Sequence, residues 1–411
     1  MFSFCTRLYP GSRHALAALL LCVLFAAAAA AQTADPDAEA SVRWGPLSMR
    51  STIALSNLGV DNNVFNRPPA TQLPGDFTLT FTPNTNLWLR LGRTWVDGTI
   101  KVDWNYFNRY ASERGANSRY RVGVTRTLNR VRVTAGAARA SLRDRPNAEI
   151  DARSQQFEKA FNGEIEFRAF GKTSLGAKTL HRKTTFDKDA VFLGRSLAVE
   201  LDKTTISNMF LVRYALTSLT MVTLEFGREK DRFFFPLRDA DSTRLLSVIA
   251  LQPSALVNGT ATIGYRHFVP HNRDVPTYSG PTAVVNLGYR LFGSARIGVQ
   301  IDRDVQYSFN PNQPYFLQTG VGWTAQQQIY GPFDVMARIS NARMAYRDRV
   351  GAVVQVSKAV DRQRTLGGGA GYRLGADKRV GFTVDRVSRR SNITGRVYNG
   401  LKYGISVTYE R

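Results

Sequence analysis

From Leu47 onward, apolar side chains fall on alternate residues in one segment after another. The last segment shows this best. Leu401, Tyr403, Ile405, Val407 and Tyr409 share one face, and Lys402, Gly404, Ser406 and Thr408 share the other. Successive side chains of a strand point to opposite faces, so a period of two predicts β-structure with an apolar and a polar face. Ile100, Val102, Trp104 and Tyr106 alternate in the same way, as do Tyr120, Val122 and Val124, then Val222, Leu224 and Phe226, and Leu246 with Val248. Between Phe77 and Leu91, Phe77, Leu79, Phe81, Leu87, Leu89 and Leu91 are all odd-numbered. That parity predicts one strand with Pro83 at a bulge, because a hairpin turning there would leave two very short strands.

Short and long connections alternate as well. Short ones are expected near 92–97, 128–130, 171–173, 216–218, 252–257, 291–294, 329–332 and 374–378. Longer polar ones are expected near 59–76, 111–117, 142–154, 187–202, 231–241, 269–279, 307–313, 347–360 and 391–396. These connections separate eighteen strands, with sixteen as the alternative count. The expectation is an all-β fold: a single transmembrane antiparallel up-and-down β-barrel with short periplasmic turns, longer extracellular loops and both ends in the periplasm. A soluble β-sandwich also alternates. Two features favour the barrel: strands of about 10–14 residues against the usual ~5–6, and aromatic residues near strand ends on the apolar parity, such as Tyr106, Tyr214, Tyr265, Tyr289, Tyr372 and Tyr409, where membrane girdles belong.

The N-terminus adds a destination. Arg7, Arg13 and His14 precede an apolar stretch from Ala15 to Ala28, then Ala29-Ala30-Ala31 before Gln32. Residues 1–31 thus read as a secretory signal peptide, residues 32–46 as a periplasmic lead-in and residues 47–411 as an outer-membrane barrel. An anchoring helix is the weaker alternative, since the run is short and Ala-rich. The lead-in is expected to be too short for a plug domain. Cys5 and Cys22 both lie in the leader, so no thiol or disulfide is expected after it. No later apolar run is long enough for a spanning helix, whereas a spanning strand needs only about 9–11 residues.

Charge then points to the interior. Setting aside Arg7 and Arg13, 53 Lys and Arg stand against 32 Asp and Glu, a net +21. On the parity opposite the apolar one lie fourteen candidate pore-lining cations: Arg50, Arg90, Lys101, Arg121, Arg132, Arg168, Lys178, Arg182, Arg213, Arg266, Arg290, Arg338, Arg373 and Lys402. Eight acids share that parity, namely Asp103, Glu158, Glu164, Glu166, Glu225, Asp302, Asp334 and Asp385, which leaves a lumenal excess of +6. Cations lining an aqueous channel raise the local concentration of anions. The plainer reading has the wall cations paired with these acids, and loop and rim cations meeting phosphates of the outer leaflet, so outer-membrane lipid and lipopolysaccharide are expected partners. Nucleic-acid binding is set aside because of the leader.

Catalytic chemistry finds little support. His267 and His271 are four apart but fall at a strand end and its loop beside Pro270, no Ser stands in a Gly-x-Ser-x-Gly elbow, and Gly367-Gly368-Gly369-Ala370-Gly371 lacks the Lys-Ser/Thr of a phosphate loop. No catalytic residue, metal or cofactor is expected. Phe233-Phe234-Phe235 reads as part of a loop.

The leader, the first strand running into Asn57-Leu58-Gly59-Val60-Asp61-Asn62-Asn63-Val64-Phe65, the Gly264-Tyr265-Arg266-His267-Phe268 strand end and the terminal strand together resemble outer-membrane β-barrel porins. Within these the chain is most similar to the type encoded beside exopolysaccharide biosynthesis and export genes. The resemblance implies a bacterial outer-membrane barrel that passes solutes or polymer, with polysaccharide export proteins as candidate partners. The terminal strand also resembles the insertion signal read by barrel-assembly machinery, carried here by Gly404, Val407 and Tyr409, but it departs from the usual aromatic ending through Glu410-Arg411. Tyr409→Ala is therefore expected to lower outer-membrane levels, while removal of Glu410 and Arg411 leaves them intact. Immunoblots of membrane fractions check both, and normal levels of the Tyr409 variant would remove the signal from this strand. The expected function is a channel for hydrophilic, preferentially anionic solutes, with an exopolysaccharide chain among the candidates. The alternative is a non-conducting structural or assembly barrel, recognisable by inward-folded loops or a dense Arg–Glu network in the lumen.

Overall fold

The computed structural model describes residue 37 and residues 40–410, apart from 292 and 376. The expected leader over residues 1–31 and the final Arg411 lie outside the described residues. Eighteen strands form one closed antiparallel sheet. They are β1 (Leu47–Asp61), β2 (Asp76–Leu91), β3 (Thr94–Phe107), β4 (Gly115–Leu128), β5 (Val131–Asp144), β6 (Ser154–Phe170), β7 (Thr173–Phe186), β8 (Lys203–Ala215), β9 (Thr220–Phe233), β10 (Ala240–Leu251), β11 (Val257–Pro270), β12 (Tyr278–Leu291), β13 (Ala295–Tyr307), β14 (Tyr315–Tyr330), β15 (Phe333–Arg347), β16 (Val360–Leu374), β17 (Lys378–Ser391) and β18 (Tyr398–Glu410). Each pairs with the next, and β18 returns to β1 with Glu410 opposite Thr52 and Lys402 opposite Asp61. Closure leaves no edge of backbone donors facing lipid.

Connections of two to five residues lie on one rim and of six to sixteen on the other. The tightest turns begin with residues that tolerate positive φ, such as Asn129 (45°) and Gly171 (50°), which suits the twist of a two-residue hairpin. The alternating apolar residues point outward and are exposed, Phe210 by 74 % and Ile263 by 56 %. A continuous belt of this kind belongs in a bilayer rather than in water.

Three local expectations are corrected. Register runs through Pro83, opposite Ile53, without a shift. The bulge lies instead in β1, around Ser56 and Asn57, where Asn57 adopts φ 54°. In β10 both faces are apolar: Leu245 is exposed, whereas Leu246 and Val248 pair with Gly264 and Thr262 on the inner face. Strand β9 continues through Phe233, whose ring packs inside against Tyr307 with centroids 4.6 Å apart. Part of the lead-in joins the sheet too, since Val42–Trp44 folds back on Leu47–Met49. It covers the edge of β1 beyond the point where β18 stops.

Inside the long-loop half, three buried apolar clusters form. One joins Phe268, Tyr278, Val305, Tyr315 and Leu317, a second joins Ile150, Phe186, Leu197, Leu201 and Phe309, and a third joins Phe316, Met344, Tyr346 and Ala359. The second includes a short helix, α1 (Leu197–Leu201), in the connection between β7 and β8.

Candidate channel interior

All fourteen cations singled out in the sequence sit on the parity opposite the exposed apolar belt, and nine have acidic partners among the described residues. Lys101 lies 3.7 Å from Asp103, Lys178 2.5 Å from Glu225, Arg182 3.4 Å from Glu158, Arg373 3.5 Å from Asp334 and Lys402 2.9 Å from Asp61. Arg213 bridges Glu164 at 3.0 Å and also Glu166. Arg121 pairs with Asp97, and Arg338 with Asp385. Gly367 and Gly371 leave the space this wall needs, because a Cβ there would fall on Arg338 and Arg379. Asp302 accepts from Gln318 at 2.8 Å.

The ninth, Arg266, belongs to a closed square. Arg266 and Arg244 stand directly opposite on β11 and β10, and Glu229 and Asp304 join both of them. Arg266 donates to Glu229 Oε1 at 3.0 Å and to Asp304 Oδ1 at 2.9 Å. Arg244 donates to Glu229 Oε2 at 2.9 Å and to Asp304. Removing one member would strand a buried charge, which typically costs about 3–5 kcal/mol. Sequence parity missed Arg244 because β10 is apolar on both faces.

The cations without an acid are not scattered. Arg132 is second in β5, Arg168 third from the end of β6, and Arg290 next to last in β12. None has an ion-pair or side-chain hydrogen-bond partner among the described residues. Arg296, not anticipated from the sequence, stands opposite Arg290 and is likewise unpartnered. Arg90 lies over the Trp95 ring at 5.3 Å, whereas Arg50, which faces inward opposite Asn86, has a partner and stands apart from this group. Uncompensated positive charge thus gathers at the short-turn rim.

The long-loop half is closed differently. Segment 145–153, between β5 and β6, reaches Arg389 on β17, six places away round the ring, and Ser308 just after β13, seven places away in the other direction. Partners so placed require it to cross the lumen. Arg389, fully buried, donates to Asp151 Oδ2 at 2.8 Å, to Ala148 O at 3.2 Å and to Asp361. Glu149 accepts from Ser308 Oγ at 2.8 Å and Phe309 N at 3.2 Å, with Arg396 3.6 Å away. Ile150 enters the second apolar cluster. Burial pushes the Glu149 carboxyl above the usual carboxylate range, and that of Asp151 likewise. Nearby, buried Arg238 donates to Glu200 Oε2 at 2.6 Å and to Pro314 O at 3.1 Å.

A family model described as "Putative beta-barrel porin 2" matches residues 43–411. The chain belongs to this porin family. It is an outer-membrane β-barrel channel protein of bacteria. No curated protein matches the sequence. Among solved structures, a BenF-like porin from Pseudomonas fluorescens Pf-5 is 11% identical, with 89% of this chain and 98% of that one covered at a TM-score of 0.50. The outer membrane protein OpdK from Pseudomonas aeruginosa is 12% identical over 89% and 99% of the chains at 0.45, and OprD from the same organism is 12% identical over 92% and 98% at 0.44.

In this porin the three candidate assembly residues lie where the barrel closes. Val407 pairs outward with Leu55, and Tyr409 with Ile53, with Lys378 Nζ 5.6 Å from the Tyr409 ring. Gly404 faces inward opposite Gly59. Of the histidines in the described residues, His267 Nδ1 lies 2.6 Å from Ser279 Oγ, and His271 lies 3.4 Å from Asp241.

Proposed function

We propose that this porin is a narrow channel preferring small anionic hydrophilic solutes, with segment 145–153 as its constriction. The observation that carries the reading is the set of uncompensated cations Arg132, Arg168, Arg290 and Arg296 at the short-turn rim. Deeper cations are neutralised by neighbouring acids, so these four dominate the field that an entering ion meets. An eighteen-stranded barrel is wide enough to hold water. A crossing segment favours small solutes over the exopolysaccharide chain suggested by the sequence resemblance, since a polymer would have to displace it.

Reversal potentials across planar bilayers in a KCl gradient test the reading. Wild type should favour chloride, and Arg290→Glu with Arg296→Glu should lower the chloride-to-potassium permeability ratio by about two- to fivefold. Cation preference in the wild type would sink it. The crossing segment also favours a second reading, a non-conducting structural barrel. Absence of conductance both in the wild type and after removal of residues 146–152 would establish that alternative.

A further inference from the structure

The outer wall carries a basic cluster that the channel does not use. On β15, β16 and β17, Arg343, Arg362 and Arg390 stand directly opposite one another in successive strands. Arg364 and Arg386 lie next to them on the same outward parity, which they share with the exposed Leu366, Phe382 and Val384. All five arginines are exposed, and none has an ion-pair or side-chain hydrogen-bond partner among the described residues. Opposed side chains on adjacent strands sit with Cβ atoms ~5 Å apart, and like charges so placed destabilise a sheet. A ladder of three arginines therefore calls for a counter-anion that the chain does not supply.

The surroundings identify the kind of anion. A groove of about 770 Å³ runs among these arginines, with Val321, Leu366 and Val397 on its apolar side and no carboxylate in its lining. Arg386 lies two residues beyond Val384 and Arg390 six, or about 7 Å and 20 Å along the strand toward the long-loop rim. The cations begin where the apolar belt ends, at headgroup depth in the outer leaflet. A second row of the same kind, Arg139, Lys159 and Lys183, crosses β5, β6 and β7 in the same half. Free phosphate would need only the cations. Cations above an apolar wall suit a phosphorylated, acylated glycolipid.

We infer that the β15–β17 face binds the phosphorylated diglucosamine headgroup of lipid A in the outer leaflet, with Arg343, Arg362 and Arg390 on its phosphates and Leu366 and Val321 against its acyl chains. The test refolds the full-length porin in detergent and follows its thermal unfolding with bis-phosphorylated lipid A, with the same lipid stripped of phosphate, and with inorganic phosphate. Bis-phosphorylated lipid A should raise the unfolding temperature, and the other two should leave it unchanged. The triple variant Arg343→Gln, Arg362→Gln, Arg390→Gln should fold at least as well without lipid, because the like-charge ladder is gone. It should conduct as the wild type does and bind lipid A about tenfold more weakly. An equal shift from the phosphate-free lipid would reduce the face to an apolar surface, and an equal shift from inorganic phosphate would reduce it to an adventitious ion site. Either result overturns the inference, as does unaltered lipid A affinity in the variant. Should the variant fail to refold, the comparison of lipids on the wild type decides alone.

Discussion

Removing residues 146–152 should raise single-channel conductance severalfold, toward that of an unobstructed eighteen-stranded barrel. The deletion takes out Glu149, Ile150 and Asp151, through which the segment is tied to Ser308, the second apolar cluster and Arg389. Both flanking strands remain, and the gap between Asp144 and Ser154 is bridged as easily by a two-residue turn as the hairpins of the opposite rim are. Planar-bilayer recordings give the answer, and an unchanged conductance would mean that the segment does not limit flow. The same segment should respond to pH. Burial raises the Glu149 carboxyl, so the inward position binds the proton more tightly than a released segment does. Its contribution is therefore complete in acid and is lost as pH rises through the raised value. Open events should become more frequent on that alkaline side, and Glu149→Gln, which stays neutral, should flatten the dependence.

The second large effect is expected at Gly59. A Cβ there would lie 2.0 Å from Tyr403 O and 2.5 Å from the Cα of Gly404. Both obstacles are backbone of β18, so no rotamer change relieves the clash. Gly59→Val should separate the closing strands and cost several kcal/mol, the range reserved for strain or overpacking at a special backbone site. Heat-modifiable migration of outer-membrane fractions should show the folded form largely lost. Gly163→Ala is the control, since its new methyl would meet Thr179 at an ordinary 3.7 Å and should be close to neutral. Folded Gly59→Val at wild-type levels would show that the seam can shift to accommodate it.

The barrel was legible in the sequence because lipid enforces one rule on every strand: an apolar side chain at every second position. Phe210, Trp323 and Phe382 obey it without knowledge of their neighbours. What the sequence hid is decided between segments far apart in the chain. Parity put Arg213 and Arg290 on the same face, but whether an acid stands beside each depends on the strands flanking it. Glu164 and Glu166 reach Arg213, whereas Arg290 meets only another arginine. The path of segment 145–153 depends on Arg389 and Ser308, more than 150 residues downstream. Pro83 drew attention as the obvious interruption, yet its missing N–H is accommodated in β2 while Asn57 in β1 carries the bulge. In β10 two adjacent apolar pairs erased the period and concealed Arg244.

Among the described residues, the seam between β1 and β18 has the fewest paired residues of the ring, running from Thr52 to Asp61 with the bulge inside it. Mechanical load follows such geometry. A pull between the two ends of the chain would act on this junction before any other, peeling hydrogen bonds in sequence rather than shearing a whole ladder at once. The barrel should then come apart as a zipper from its closing strand, hairpin by hairpin, with the clamped wall of β9 to β13 among the last parts to yield.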